Sequence, residues 1–287
     1  MKKTTAFFLA VAMSIDVSFS QSSVWKVSNN DGNTLYLGGS VHILRAEDYP
    51  LPIEFNTAFE KSDILILEAD ATQMQNPEVA QSMMAQMMLP GEETLQTVLN
   101  AETFKLLKKK CEELSLPLQE MLKLKPAVLA TMLAMAKMLQ MGFTPEGVDT
   151  YFHAKAMENN MKVDFLESVD FQINLLVNMG EGFENEFMKY MLDDLDNIQA
   201  DIDILIPEWR IGKSEFLASK SAEMKEQFPI VYKTMLTDRD SAWLPIIENY
   251  LTDEPVEFIV VGLGHLIGEE GLLMQLENKG YTVKQVE

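Results

Sequence analysis

Hydrophobic and polar positions change rhythm several times along the chain. Ser23 to Ser28 and Thr34 to Gly38 read as two strands around Asn29-Asn30-Asp31-Gly32-Asn33, a turn whose Asp-Gly pair tolerates positive φ. The second strand runs directly into Gly39-Ser40-Val41-His42. Pro52 to Ser62 shifts to helical spacing, with Ile53, Phe55, Ala58 and Phe59 on its apolar side. Ile64-Leu65-Ile66-Leu67 is an unbroken aliphatic run, the pattern of a strand buried on both faces, and it stops on Glu68. From Ala71 to about Tyr250 the spacing is mainly helical, punctuated by Pro90-Gly91, Pro117, Pro126, Gly142 to Pro145, Pro207 and Pro229. Within it, Met161 to Leu166 is a short strand candidate that stops on Glu167. Glu257 to Val261 is a further strand and leads into Gly262-Leu263-Gly264-His265. A helix from about Gly271 to Lys279 and a strand from Tyr281 to Val286 follow. No linker-like tract interrupts residues 21–287. The expected fold is one domain of mixed α and β structure (α+β). Its central sheet is built from the N- and C-terminal segments, with a large, mainly helical insertion over about 71–250.

The first twenty residues have another pattern. Lys2 and Lys3 precede a mostly apolar run, Ala6 to Ile15, and Ser18-Phe19-Ser20 supplies small residues for a signal peptidase. Residues 1–20 are expected to be a signal peptide cleaved after Ser20. The run is too short to span a bilayer, which takes about 20 apolar residues, and no cysteine follows it to carry a lipid. The expected product is exported, periplasmic or extracellular, with no transmembrane anchor.

Composition narrows the partners. With 44 acidic and 23 basic side chains the formal net charge is −21. That argues against nucleic acid, whose phosphates need Lys and Arg to displace counterions, and against an anionic membrane surface. Cys111 is the single cysteine, so neither an intramolecular disulfide nor a thiolate metal cluster can form. It lies in the charged run Lys108 to Glu113 and reads as a packing or surface thiol. Pro126 to Gly142 is apolar almost all round, with Met132, Met135, Met138 and Met141 every third residue. Such a helix is usually buried core. Together with Met83, Met84, Met87 and Met88 it can alternatively line an adaptable peptide or lipid groove.

There are only three histidines, His42, His153 and His265. Two of them occupy equivalent places, as the last residue of a Gly-x-x-His following a strand. Ligand sites of α/β sheets lie beyond the carboxyl ends of strands, where Glu68 and Glu167 also fall. Two imidazoles and a carboxylate (His42, His265 and Glu68) make a common catalytic metal set with a position open for water. A single Gly-x-x-His is more often a structural histidine, and Glu68 alone can cap a helix or pair with a basic group. Glu167 and Asp149 each admit two readings, a ligand or proton-transfer group or a helix N-terminal carboxylate. Arg239 can stabilise an oxyanion or neutralise an acidic site. His153, four residues after Asp149, reads as structural or surface, with a ligand role as the alternative.

The ordered set Tyr36-Leu37-Gly38-Gly39-Ser40-Val41-His42, Asp63 to Asp70, Gly147-Val148-Asp149, Leu166-Glu167-Ser168 with Gln172, Met235 to Asp240, and Val261 to Leu266 with Gly268 and Gly271-Leu272-Leu273 resembles the TraB/PrgY/GumN family. The resemblance spans about Thr34 to Val286. That family is related to the Tiki metalloproteases, described by two G-x-x-H motifs and an essential glutamate. It is more distantly related to erythromycin esterase and the haem-binding ChaN proteins. The resemblance implies a peptidase-like site holding a divalent metal (Mn²⁺ or Co²⁺ as in the Tiki branch, or Zn²⁺) on His42, His265 and Glu68. Glu68 or Glu167 would move the proton, Arg239 would stabilise charge, and Ser40 and Asp149 would contact the substrate. Two positions depart from the family pattern. Ser40 stands where threonine is usual, and Asp240 follows Arg239 where asparagine is usual. The expected function is a secreted metal-dependent hydrolase acting on a peptide or protein. The alternative is a non-catalytic protein of the same fold that sequesters a peptide, haem or metal.

Overall fold

The fold is taken from a computed structural model that describes residues 22–287. The expected signal peptide lies outside the described residues. The chain opens on the hairpin β1 (Val24–Ser28) and β2 (Thr34–Ser40), paired antiparallel from Val24 opposite Gly38 to Ser28 opposite Thr34. Asn29 closes the turn: its side-chain oxygen accepts from the backbone N–H of Asp31 and of Asn33, each at 2.9 Å, while Gly32 takes φ +96°.

A two-residue strand β3 (Leu44–Arg45) comes next, then the helix Ile53–Glu60, then β4 (Ile64–Leu67). The insertion supplies β5 (Phe143–Thr144), which pairs only with β3, and β6 (Lys162–Phe165). β7 (Glu257–Gly262) and β8 (Thr282–Gln285) come from the C-terminal segment. The main sheet has the order β6-β4-β7-β2-β1-β8. β7 is parallel to both β2 and β4, and β6 is parallel to β4. Four parallel strands therefore end along one edge, and Ser40, Glu68, Glu167 and Gly262 lie at or just beyond it.

Both faces of the sheet are covered, which accounts for the aliphatic runs. On one face Tyr36, Leu65, Leu67, Phe258 and Val260 pack with Phe55, Phe59, Phe152 and Trp209. On the other Leu35, Leu37, Ile66, Ile259 and Val261 pack with Trp243, Leu244, Ile247, Leu272 and Leu276. The insertion thus contributes helices to both faces: Val148–Glu158 and Ile198–Arg210 to the first, Asp238–Tyr250 to the second. Of its other helices, Ala101–Glu113, Pro126–Gln140 and Glu184–Asp194 form a further core around Leu107, Leu129, Leu133, Phe187 and Leu192. Cys111 is buried there, and burial pushes its thiol up to about 11.

Three local expectations need correction. Ile53 points outward, 69 % exposed, and its neighbour Glu54 is buried instead. Pro207 does not end a helix but lies inside Ile198–Arg210, where it gives up only its own bond to the carbonyl four residues earlier. The methionine helix Pro126–Gln140 is buried only along Pro126 to Ala130 and at Leu133, while Met132, Met135 and Leu139 face outward. No helix of the described residues is long and apolar enough to cross a membrane.

Candidate active site

Parallel pairing of β2 with β7 sets Ser40 opposite Gly262, so the two Gly-x-x-His segments leave the sheet side by side. Gly262 is the meeting point. A Cβ placed on it would lie 3.4 Å from Glu68 Oε1, 3.4 Å from His42 Nε2 and 3.6 Å from His265 Cδ2. Residues from both ends of the sequence therefore converge around one small volume.

His42 is set by the helix Val148–Glu158. Gly147 begins that helix against the backbone of Val41 and His42; a Cβ there would come within 2.3 Å of the His42 carbonyl carbon. The close approach lets Val148 N–H donate to the Val41 carbonyl at 3.1 Å and brings Asp149 into the site. Asp149 Oδ1 accepts from Ser40 Oγ at 2.7 Å and lies 3.2 Å from His42 Nδ1. Nε2 is left open over Gly262. The crowded walls disfavour a charged ring, but the hydrogen bond and charge of Asp149, with the charge of Glu68 adding, outweigh this and raise His42 to about 9. The side chain is 59 % exposed, so water screens part of this pull.

Behind this pair lies a buried polar knot centred on Arg239, just past the π-helical turn Lys233–Thr237. Its Nη2 donates to Glu68 Oε2 at 2.5 Å and to Glu167 Oε1 at 2.8 Å, and its Nε donates to Glu167 Oε2 at 3.2 Å. Nη1 donates to the Met235 carbonyl at 3.1 Å and lies 2.9 Å from His265 Nε2. A guanidinium has five N–H groups, and all five are engaged. The other ring nitrogen of His265, Nδ1, lies 2.6 Å from Asp240 Oδ1. A ring protonated on Nδ1 satisfies both contacts, with Nε2 accepting from Arg239.

Glu68 is held by Gly262 N–H at 2.7 Å and Gln172 Nε2 at 3.0 Å as well as by Arg239. Burial alone would raise its pKa. The charges of His42 and Arg239 and the Gly262 N–H overcome that and lower it to about 2. Asp240 is raised, chiefly by burial, against the pull of His265.

A cavity of ≈ 280 Å³ opens beside this arrangement. It is lined by the polar side chains of His42, Glu68, Asp149 and Gln172, by the apolar Leu67, Ala69 and Val260, and by Thr72, Gln75 and His153. Ligand pockets start at about 300 Å³, so the space suits a small molecule or a short peptide stretch.

A family model described as TraB/PrgY/gumN matches residues 23–285. The chain belongs to the TraB/PrgY/gumN family. No curated protein sequence matches it.

In this TraB/PrgY/gumN protein the residues singled out in the sequence divide into two groups. His42, Glu68 and Asp149 line the cavity, and Ser40, buried, reaches it only through its hydrogen bond to Asp149. Arg239, Glu167 and His265 lie behind it and have other tasks. Arg239 has no N–H left for an oxyanion. Glu167 accepts twice from Arg239 and once from Trp243 Nε1, so it is neither a helix cap nor a free base. Ser168 caps the helix Val169–Val177 instead, and Asp70 rather than Glu68 caps the turn after β4.

The expected metal set fits poorly. Three free ligands would be needed, but the Nε2 lone pair of His265 points at a cation and its Nδ1 at Asp240. Among the described residues no three His, Cys, Asp or Glu groups are arranged to hold an ion. His42 Nε2 and Glu68 Oε1, the latter already accepting from Gly262 N–H, flank the point beside Gly262.

His153, read from the sequence as structural or surface, borders the cavity. One residue escaped the sequence reading altogether. Trp243 packs its ring 4.5 Å from that of His265 and 4.6 Å from the Arg239 guanidinium; nothing in the sequence marked it. Asp240, a departure from the family pattern, is 2 % exposed and holds His265 rather than facing a substrate.

Proposed function

We propose that this protein is a hydrolase acting on a peptide, or a similarly sized carbonyl substrate, in the cavity beside His42, and that it works in the periplasm or outside the cell. The observation that carries the reading is the His42–Asp149 pair. One ring nitrogen is held by a carboxylate, and the other stands open beside Glu68 and a pocket. A base oriented by a third group is the arrangement that activates a nucleophile.

In this reading Asp149 accepts a hydrogen bond from Nδ1–H of His42 and fixes the ring, its own protonation unchanged. Nε2 takes one proton from a water placed over Gly262, and Glu68 Oε1 accepts a hydrogen bond from that water's other O–H, which stays with the oxygen. The water oxygen attacks the substrate carbonyl, and His42 returns its proton to the leaving nitrogen as the C–N bond breaks. Arg239 keeps Glu68 ionised and in place from behind. The apolar lining of Leu67, Ala69 and Val260 supports a peptide with an uncharged side chain next to the scissile bond.

The test is turnover of an unbiased peptide mixture by the wild type, His42→Gln and Asp149→Asn, read by mass spectrometry. Cleavage by the wild type, lost in His42→Gln, supports the reading. Equal cleavage by all three, or none by the wild type, removes it.

A further inference from the structure

We infer that His265 is a positioning residue and not a metal ligand in this chain, the buried Arg239 guanidinium standing where a three-ligand site would need a cation. Lone pairs decide the matter. A metal-binding histidine must present one free nitrogen, and its other nitrogen usually donates to a carboxylate or carbonyl. His265 has the second half of that arrangement, Nδ1 against Asp240 at 2.6 Å. The first half is spent on Arg239 Nη1 at 2.9 Å, in surroundings where His265 is 4 % and Arg239 6 % exposed.

Arg239 cannot easily withdraw. It would leave the Glu68 and Glu167 carboxylates buried without a counter-charge, and its own N–H groups would lose five partners. Trp243 closes the site from the side, with its ring against both groups. A chain runs from Asp240 through His265 and Arg239 to Glu68 Oε2, while Glu68 Oε1 faces His42 across Gly262. His265 thus transmits its placement to the cavity through Arg239. The role of His265 stands on this geometry alone; independence of turnover from divalent ions rests on the proposed hydrolase reading.

The experiment uses the full chain, purified and stripped with chelator, with ion content verified by elemental analysis. Mn²⁺, Co²⁺ and Zn²⁺ are each titrated in by calorimetry while the imidazole nitrogens are followed by NMR. Three histidines give three resolvable rings. The expected result is a His265 ring with its proton on Nδ1 and a hydrogen-bonded Nε2, unmoved at saturating ion, and no 1:1 isotherm that depends on it. Peptide cleavage should then agree within about twofold with and without ions.

A stoichiometric isotherm that shifts the His265 signals and is lost in His265→Gln would overturn the inference. Should that variant fail to fold, a wild-type His265 Nε2 shift to a metal-bound position is enough to overturn it. Loss of peptide cleavage under every condition would sink the hydrolase reading alone, because the ring spectra and the isotherms still decide the role of His265.

Discussion

Asp149 Oδ1 lies 3.2 Å from Nδ1 of His42 although 107 positions separate them in sequence. The link depends on one glycine, Gly147, which lets a helix start against the backbone that carries the histidine. If Asp149 orients His42 and stabilises its cation, Asp149→Asn should lower kcat by on the order of 10²-fold or more, with a smaller change in KM. The pH profile supplies a second readout. Activity of the wild type should rise with pH as His42 loses its proton, towards about 9. In Asp149→Asn the midpoint should fall back towards the ordinary 6.5, visible also in the NMR titration of the His42 ring.

Gly262 marks the space the chemistry needs. Its backbone, φ −50° and ψ 133°, accepts any L-residue, and an added Cβ meets its neighbours no closer than 3.4 Å. Gly262→Ala should therefore fold normally yet fill the point between His42 Nε2 and Glu68 Oε1. The expectation is a loss of kcat/KM greater than about tenfold, with a thermal midpoint within a few degrees of wild type. A fully active alanine variant would show that the reacting water sits elsewhere.

Arg239 should matter more to stability than a surface arginine does. Arg239→Met leaves two buried carboxylates, Glu68 and Glu167, without their counter-charge, a loss of about 3–5 kcal/mol measured by urea unfolding at pH 7. The effect should depend on pH. Glu68 is depressed in the fold, so its contribution is complete above the ordinary carboxyl value near 4.5 and disappears as pH falls towards 2. The gap between wild type and Glu68→Gln should close over that interval.

Glu257 titrates in the opposite sense. It begins β7 at the far end of the sheet, 1 % exposed, with Oε2 unpartnered. Burial, with Asp253 and Asp63 nearby, raises it to about 7, while Lys162 opposes them. Its contribution is therefore present below the ordinary value of 4.5 and is lost as pH climbs through 7. Glu257→Gln should raise stability at pH 8 by roughly 1–3 kcal/mol and leave it little changed at pH 4. Identical urea midpoints at pH 8 would refute the assignment.

Much of the fold was legible because burial on two faces leaves a plain trace. Ile64 to Leu67 and Phe258 to Val261 have no polar position for solvent to face. The convergence of His42, Glu68 and His265 was also legible, since parallel strands deliver their trailing residues to one edge. Partner choice beyond that edge was not. Whether Glu167 meets a metal, a water or an arginine depends on how the helix Asp238–Tyr250 is placed on the sheet, and no local pattern encodes that distance. Ile53 shows the same limit on a smaller scale. Helical spacing put it with Phe55 and Phe59, but it lies on the first turn, beyond the edge of the covered face.

The strand β7 lies between β2 and β4, so the middle rung of the ladder comes after the whole helical insertion in the chain. Until residue 262 has emerged, the two strands made much earlier have no bridge between them. A polypeptide stopped before Glu257 would lack both that bridge and the Gly262 N–H that holds Glu68.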